Sequence, residues 1–447
     1  MSSSTDDLIQ SAGADEAFAR GNLQEALDCY VELINADAGN LFAWYRVALI
    51  AGKLSRRKEV GTALTLVAEA LSRTGRLHLT LATLRELEEY DAAACVDRLR
   101  EVSMLYGKGS RRLEGRYRPQ PPPPPGGKSG GDDMGIELDD TDMMFDMAMD
   151  ACVKAAQKYR KDAPEPQAKV PAHPLFSELM PADLRSLVNL LEIHNVPAGE
   201  KLIRQGGEGN SFFMLVRGAV QVSRVDRNGE EQRLASMGTG ALFGEMALLT
   251  DSPRVATVAT TRPSLLFEIK RKDLEKLAER NPGVGDVLAA HTRTRLLRNL
   301  MSSSPLFKPL DEERKQGLRQ LFETEIYGPE EVILREGETS SALRVVLSGE
   351  VLVSRADGQE ELELAELGPG QLFGEISMIQ GKPVTATVTT RHKTVVLSLT
   401  REAFNAHVAE FPEVLTHLYQ VAMERETANQ RIASGPLVPV DDKELLV

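Results

Sequence analysis

Two stretches 130 residues apart carry residue types from which a binding chemistry can be built. In the first, Phe243-Gly244-Glu245-Met246-Ala247-Leu248 is followed six positions on by Arg254 and then by Val255-Ala256-Thr257-Val258. A glycine lets a ligand approach the backbone, and the amides of Met246 and Ala247 are placed to open a short helix whose N-terminus attracts negative charge. Arg254 can hold a phosphate through two parallel hydrogen bonds. Glu245 beside a phosphate is repulsive unless it accepts hydrogen bonds from neutral hydroxyls, which a ribose next to that phosphate supplies. The ligand so described is a nucleotide. The competing reading is a plain Glu245–Arg254 ion pair in a barrel that has lost its ligand.

The second stretch, Phe373-Gly374-Glu375-Ile376-Ser377-Met378, keeps the front of this pattern, but Val384 stands where the arginine is required. Losing a bidentate charged contact to a desolvated phosphate costs about 2 to 4 kcal/mol, or about 30- to 1000-fold in affinity. Lys382, two residues earlier, offers a point charge as a partial replacement, and Thr385 offers a hydroxyl.

Other chemistry is weaker. The seven histidines (78, 173, 194, 291, 392, 407 and 417) never pair at ligand spacing, and no nucleophile has an evident base, so neither a metal centre nor an enzyme is expected. Gly127-Lys128-Ser129 resembles the end of a phosphate loop, but Pro122 occupies its first glycine position.

The elements that must position these residues form a repeat. Pro174-Leu175-Phe176 lies over Pro305-Leu306-Phe307 at an offset of 131, as do Gly206 over Gly337 and Gly218 over Gly349. The offset drops to 130 past the turns at Asn228-Gly229 and Asp357-Gly358, a one-residue hairpin difference. Apolar residues alternate at Phe212, Met214, Val216, Val220 and Val222, and again at Leu343, Val345, Leu347, Val351 and Val353. Period two predicts strands with one buried face, with Gly218 and Gly349 as turns. Helical text closes each unit, Arg271 to Leu300 and Arg401 to about Gln430, each broken by a proline, Pro282 and Pro412. Each unit therefore reads as an antiparallel barrel or sandwich flanked by helices.

FGEMALLTDSPRVATV resembles the phosphate-binding cassette of cyclic-nucleotide-binding domains position for position, and the upstream PAGEKLIRQGG and VRGAVQVSR resemble that family's first strands and glycine turn. The resemblance covers roughly residues 174 to 425. It implies jelly-roll-like β-barrels with flanking helices, similar to those of regulatory subunits of cyclic-AMP-dependent protein kinase. It further implies that Glu245 binds the ribose 2′-hydroxyl and Arg254 the cyclic phosphate, with the backbone of Gly244, Met246 and Ala247 assisting. In the family a threonine after the cassette arginine favours guanine. Val255 lacks that hydroxyl and points to cyclic AMP over cyclic GMP or a cyclic dinucleotide.

The chain's 447 residues allow two to four domains. Residues 7–115 are helical in pattern, and Ala17, Gly21, Ala26, Tyr30 and Trp44 resemble tetratricopeptide positions, with a plain helical bundle as the alternative. Either is an interaction surface for a protein partner. Residues 116–172 read as a linker, with five consecutive prolines and GGKSGG followed by an acidic, Met-rich stretch at 132–150 expected to form a short docking helix. The barrels then occupy 173–300 and 301–426, and 427–447 is a tail. Arg111-Arg112 resembles the basic pair of the inhibitory segment of kinase regulatory subunits, except that Glu114 follows Leu113.

Fifty-three basic against 66 acidic residues give a net charge of −13, the wrong sign for a nucleic-acid-binding surface. Too few residues follow Glu426 for a winged helix, so a transcription factor is not expected. Three scattered cysteines and the absence of a long apolar run read as a cytoplasmic protein without a membrane span. The expectation is thus a non-catalytic sensor in which cyclic AMP in the first barrel alters the engagement of a partner. An adaptor with degenerate nucleotide sites and a kinase regulatory subunit are the alternatives.

Overall fold

A computed structural model describes residues 11–37, 39–53, 57–117, 169–173, 175–225, 229–245, 253–303, 307, 310–340, 342–357, 360–407 and 412–433. The acidic stretch 132–150 and its expected helix lie outside them. Contacts divide the chain into two units, one holding residues 1–248 and 253–291, the other 249–252 and 292–447.

In the first unit six helices come first: α1 (Ala12–Ala19), α2 (Leu23–Ala36), α3 (Leu41–Lys53), α4 (Arg57–Arg73), α5 (Leu77–Tyr90) and α6 (Ala92–Tyr106). Each packs on the next. Helix α3, LFAWYRVALIAGK, is buried from Leu41 through Ala51, as a helix that is apolar on all sides must be. Alternate helices α2, α4 and α6 begin at residues 23, 57 and 92.

The first barrel consists of two four-stranded sheets. One has the order β3 (Glu192–Val196), β10 (Ser264–Lys270), β5 (Ser211–Arg217), β8 (Leu242–Phe243). The other has the order β4 (Lys201–Ile203), β9 (Thr257–Thr260), β6 (Ala219–Val225), β7 (Glu231–Gly238). The second unit repeats this arrangement, with β11 (Glu323–Tyr327), β18 (Thr394–Thr400), β13 (Ala342–Ser348), β16 (Leu372–Phe373) in one sheet. Its other sheet holds β12 (Val332–Leu334), β17 (Thr387–Thr390), β14 (Val351–Asp357), β15 (Glu360–Leu367). Helices α8 (Arg271–Arg280) and α9 (Pro282–Ser303) follow the first barrel, and α12 (Arg401–His407) and α13 (Pro412–Ala433) the second. Pro282 and Pro412 each start a helix, where a missing N–H costs nothing.

The turn glycines are required by close approach. Gly218 has φ 115°, and a Cβ there would stand 2.8 Å from the Ser264 backbone; Gly349, at φ 94°, meets Thr394 at the same distance. Gly218→Ala and Gly349→Ala are each expected to cost more than about 1 kcal/mol, since both the left-handed backbone and the neighbouring strand resist a side chain. Chemical unfolding of each variant reads this directly, and an unchanged midpoint would refute it.

One sequence expectation needs correction. The alternating set Phe212, Met214 and Val216 does not face the barrel interior. These residues join one continuous core with the helices, including Leu41, Trp44 and Leu77, whereas Phe213, Leu215, Val220 and Leu266 fill the barrel. Strand β5 is buried on both faces because helices cover its outer side, and the chain changes sheet at Gly218, so one run of alternation serves two different cores.

The two ends of the 116–172 segment lie side by side in the first unit. Strand β1 (Leu113–Arg116) pairs in parallel with β2 (Val170–Ala172), Leu113 opposite Val170 and Arg116 opposite Ala172, so both ends of the 116–172 segment are tied to the same unit. Polar contacts fasten the helices to the barrel. Arg217 lies 4.0 Å over the Phe42 ring and 3.6 Å from the Asp15 carboxylate, which also accepts from Ser11 (2.8 Å) and Tyr30 (2.5 Å). Arg46 donates to the Asn195 side chain at 2.5 Å and lies over Phe18.

Where β2 ends, four rings close on one another. His173 stacks on Tyr117 at 4.3 Å and meets His78 at 4.7 Å and Tyr106 at 5.7 Å, and both histidines are buried. Burial lowers His78 to about 4. Burial, reinforced by His78 and opposed by the Gly75 backbone, lowers His173 to about 2. The unfolded chain therefore binds these protons first, near pH 6.5, so stability is complete above that value and falls as pH drops through the window from 6.5 to about 4 and below. At pH 5 each histidine is expected to cost about 2 kcal/mol. Melting curves of the protein and of His173→Phe between pH 7.5 and 5 check this. A slope left unchanged by the substitution would contradict it.

Candidate functional site

In the first barrel, β8 delivers the chain to Gly244, whose φ of 80° turns it sharply. A Cβ at this point would lie 2.9 Å from both the Arg254 guanidinium and the Ile203 side chain, so the glycine makes room for the arginine. Arg254 enters just before β9. Its own backbone is fixed to the preceding turn, its N–H donating to the Gly207 carbonyl and its carbonyl accepting from Gly206, both at 2.8 Å.

The Arg254 side chain is held by three backbone carbonyls. Nη1 donates to Gly244 at 2.8 Å, Nε to Glu208 at 3.3 Å, and Nη2 to Ser211. A guanidinium has five N–H donors, so this cradle fixes its plane and leaves a pair for an anion. Burial and the like charge of Arg271 push its pKa down, opposed by Glu245 and Glu268; a guanidinium nonetheless stays charged. Glu245 is 7% exposed and close enough to favour the arginine's charge. Gly244, Glu245 and Arg254 are thus brought together, as the spacing led one to expect. Val255 is 42% exposed. Met246 and Ala247 lie outside the described residues.

The second barrel reproduces the backbone of this site and not its charge. Val384 donates to Glu338 and accepts from Gly337, both at 2.8 Å, in register with Arg254, but its side chain is apolar and only 6% exposed. The carbonyl of Ala342, counterpart of Ser211, accepts instead from the Ser340 hydroxyl at 3.4 Å. Gly374 keeps the left-handed turn, with φ 81°.

Helix α11 (Glu375–Gln380) follows this turn directly and contributes Glu375, Ile376 and Ser377 to a cavity that Thr385 also lines. Lys382 is not brought there. Its ammonium pairs with Glu426 at 3.2 Å, and the same carboxylate, kept low by Gln380 and Lys382, accepts from Gln380 at 3.1 Å.

The basic side chain that lines the cavity is Arg425 of α13, whose Nη1 donates to Glu375 Oε1 at 3.0 Å and to the Leu372 carbonyl. Sequence reasoning missed it. Arg425 lies 50 residues beyond Glu375, in a helix with several other charges, and no local spacing marks it.

Two segments, 193–281 and 324–411, match the family of cyclic nucleotide-binding domains. Together with the duplicated barrels this shows that the chain carries two such domains in tandem, preceded by a helical region, and that it is similar to regulatory subunits of cyclic-AMP-dependent protein kinase.

One such relative, the regulatory subunit of cAMP-dependent protein kinase of Blastocladiella emersonii, is 28% identical over 253 residues, 56% of this chain and 60% of that protein. Human cGMP-dependent protein kinase 2 is 27% identical over 58% of this chain and 33% of its own length. The chain thus spans less than two thirds of the length of these relatives. Among solved structures, the regulatory domain of Toxoplasma gondii PKA with cAMP is 26% identical, covering 56% of this chain and 92% of that one, with a TM-score of 0.28. No helix among the described residues is long and apolar enough to cross a membrane.

Proposed function

We propose that the protein is a non-catalytic sensor that binds cyclic AMP in the first barrel and passes the signal to a protein partner. The observation that carries this reading is the Arg254 guanidinium, pre-set by three carbonyls beside the buried Glu245. A cyclic phosphate takes the arginine's remaining donors and the ribose hydroxyl donates to Glu245, while the exposed Val255 offers no hydroxyl to a guanine edge. The relatives named above, regulatory subunits of a cAMP-dependent kinase and a cGMP-dependent kinase, bear cyclic nucleotides in their names and support the ligand class.

Signal transfer is assigned to the helical region. It shares its core with the first barrel, so a ligand that rigidifies the barrel acts on elements already welded to the helices. A partner that is itself a kinase catalytic subunit would need the Arg111-Arg112 segment to reach its cleft, yet Leu113–Arg116 is paired in a strand. A different partner, engaged through the tetratricopeptide-like helices, fits this arrangement better.

The ligand assignment is tested by competition. Cyclic AMP, cyclic GMP and a cyclic dinucleotide are titrated against a fluorescent cyclic nucleotide on the full chain. Cyclic AMP is expected to displace it at the lowest concentration. Displacement led by cyclic GMP would overturn the base assignment, and no binding of the probe would favour the adaptor reading.

A further inference from the structure

Glu192, His194 and Glu268 converge on one face of a sheet in the first barrel. The first two alternate onto the same side of β3, and the strand register sets Glu192 opposite Glu268 and His194 opposite Leu266 on β10. All three therefore share the face that Leu266 turns into the barrel. One ligand atom from each lies within 4.8 Å of the others. In the sequence Glu268 is far from the other two, so no ligand spacing marks the group.

Two features call for a cation. Like charges directly opposite in an antiparallel pair repel, and Glu192 and Glu268 are such a pair. His194 Nε2 is shielded from solvent and makes no hydrogen bond to any described residue, although Glu268 Oε2 lies 2.8 Å away. The ring nitrogen and that oxygen are thus not aimed at each other but border a common position, as two ligands of one ion do. Ligand atoms at about 2.0–2.2 Å from a metal stand about 3 Å apart, so small side-chain rotations gather the set.

The Lys270 ammonium already holds Glu192 Oε1 at 2.6 Å. The Lys270 side chain is 51% exposed and that of Glu192 45%, so this pair is of the surface kind that yields at little cost, and Glu192 has a second oxygen. Glu268, 19% exposed, is the sheltered member, and His194, 41% exposed, opens the group to water.

The donor set selects among ions. Mg2+ and Ca2+ take oxygen ligands, whereas an imidazole favours Zn2+ and its first-row neighbours, and the group holds no sulfur for softer ions. One nitrogen, two carboxylates and access for water make a Zn2+ site with an open position. We propose that Glu192, His194 and Glu268 form a zinc site that ties β3 to β10 just before β10 passes into α8. The site lies outside the cassette and does not depend on the cyclic-nucleotide reading.

The test uses the full chain, stripped with a chelator and returned to chelator-free buffer, titrated with Zn2+ by calorimetry beside His194→Gln and Glu268→Gln. Circular dichroism in the chelator confirms that both variants fold. One Zn2+ is expected at this site with a dissociation constant below about 100 µM. Each variant should bind it at least about 10-fold more weakly, a loss that even an outer partner of a metal ligand can cause. Zn2+ held elsewhere on the chain is common to all three proteins and cancels in the comparison. At 100 times the dissociation constant, Zn2+ should raise the melting temperature by about 5 °C, and by half of that or less in the variants.

Zn2+ binding that is equal in all three proteins places the ion elsewhere and overturns the proposal. So does the absence of Zn2+ binding over this range, which would leave a protonated His194 and Lys270 as the cations that balance the two carboxylates.

Discussion

Arg254→Ala is expected to lower cyclic-nucleotide affinity by about 30- to 1000-fold while leaving the chain folded. The guanidinium stands in a cradle of carbonyls from Glu208, Ser211 and Gly244, so its position is set before any ligand arrives. Little ordering cost then opposes the two hydrogen bonds to a phosphate. Arg254→Lys should recover only a small part of the loss, because an ammonium cannot bond the three carbonyls and the phosphate in one plane. Calorimetric titration of both variants, with melting curves to confirm folding, checks this. A loss under about 3-fold for Arg254→Ala would mean that the arginine serves only the barrel.

The second large effect is on stability. Arg217→Ala leaves the buried Asp15 carboxylate without its cation and uncovers the face of Phe42, where helices and barrel meet. Removing one member of a buried pair costs about 3 kcal/mol, a fall in melting temperature of roughly 5–10 °C for a unit of this size. The Ser11 and Tyr30 bonds to Asp15 keep the effect at the low end of such penalties. Replacing both charges, Asp15→Asn with Arg217→Met, should restore most of the loss, since the neutral pair strands no charge. Calorimetric melting of the single and double variants measures this. A double variant as unstable as Arg217→Ala would show that packing, not charge, joins these elements.

Much of the architecture was legible because it was written twice. Offsets of 131 and 130 fixed strand, turn and cassette in both barrels, and the shared strand orders follow that duplication. The first site was legible because Gly244, Glu245 and Arg254 are close in sequence and the turn that joins them is local. The second site was legible only in what it lacks. Val384 could be read in register, whereas Arg425 reaches Glu375 from a distant helix that spacing rules cannot see.

Period-two alternation at Phe212, Met214 and Val216 announced a buried face without telling which core buries it. Both faces of β5 are covered, and only the tertiary position of the helices distinguishes them. The proline run marked 116–172 as a linker without telling where its two ends lie. Composition describes the segment itself, but the pairing of Leu113 with Val170 across more than fifty residues is a tertiary fact.

The central functional claim is that the first barrel alone takes a cyclic nucleotide at useful affinity. The most direct measurement is the stoichiometry of cyclic AMP binding to the unsubstituted full chain by calorimetry. One cyclic AMP per chain, lost in Arg254→Ala and kept in Glu375→Gln, is the expected result; two equivalent sites per chain, or one site that survives Arg254→Ala, would contradict it.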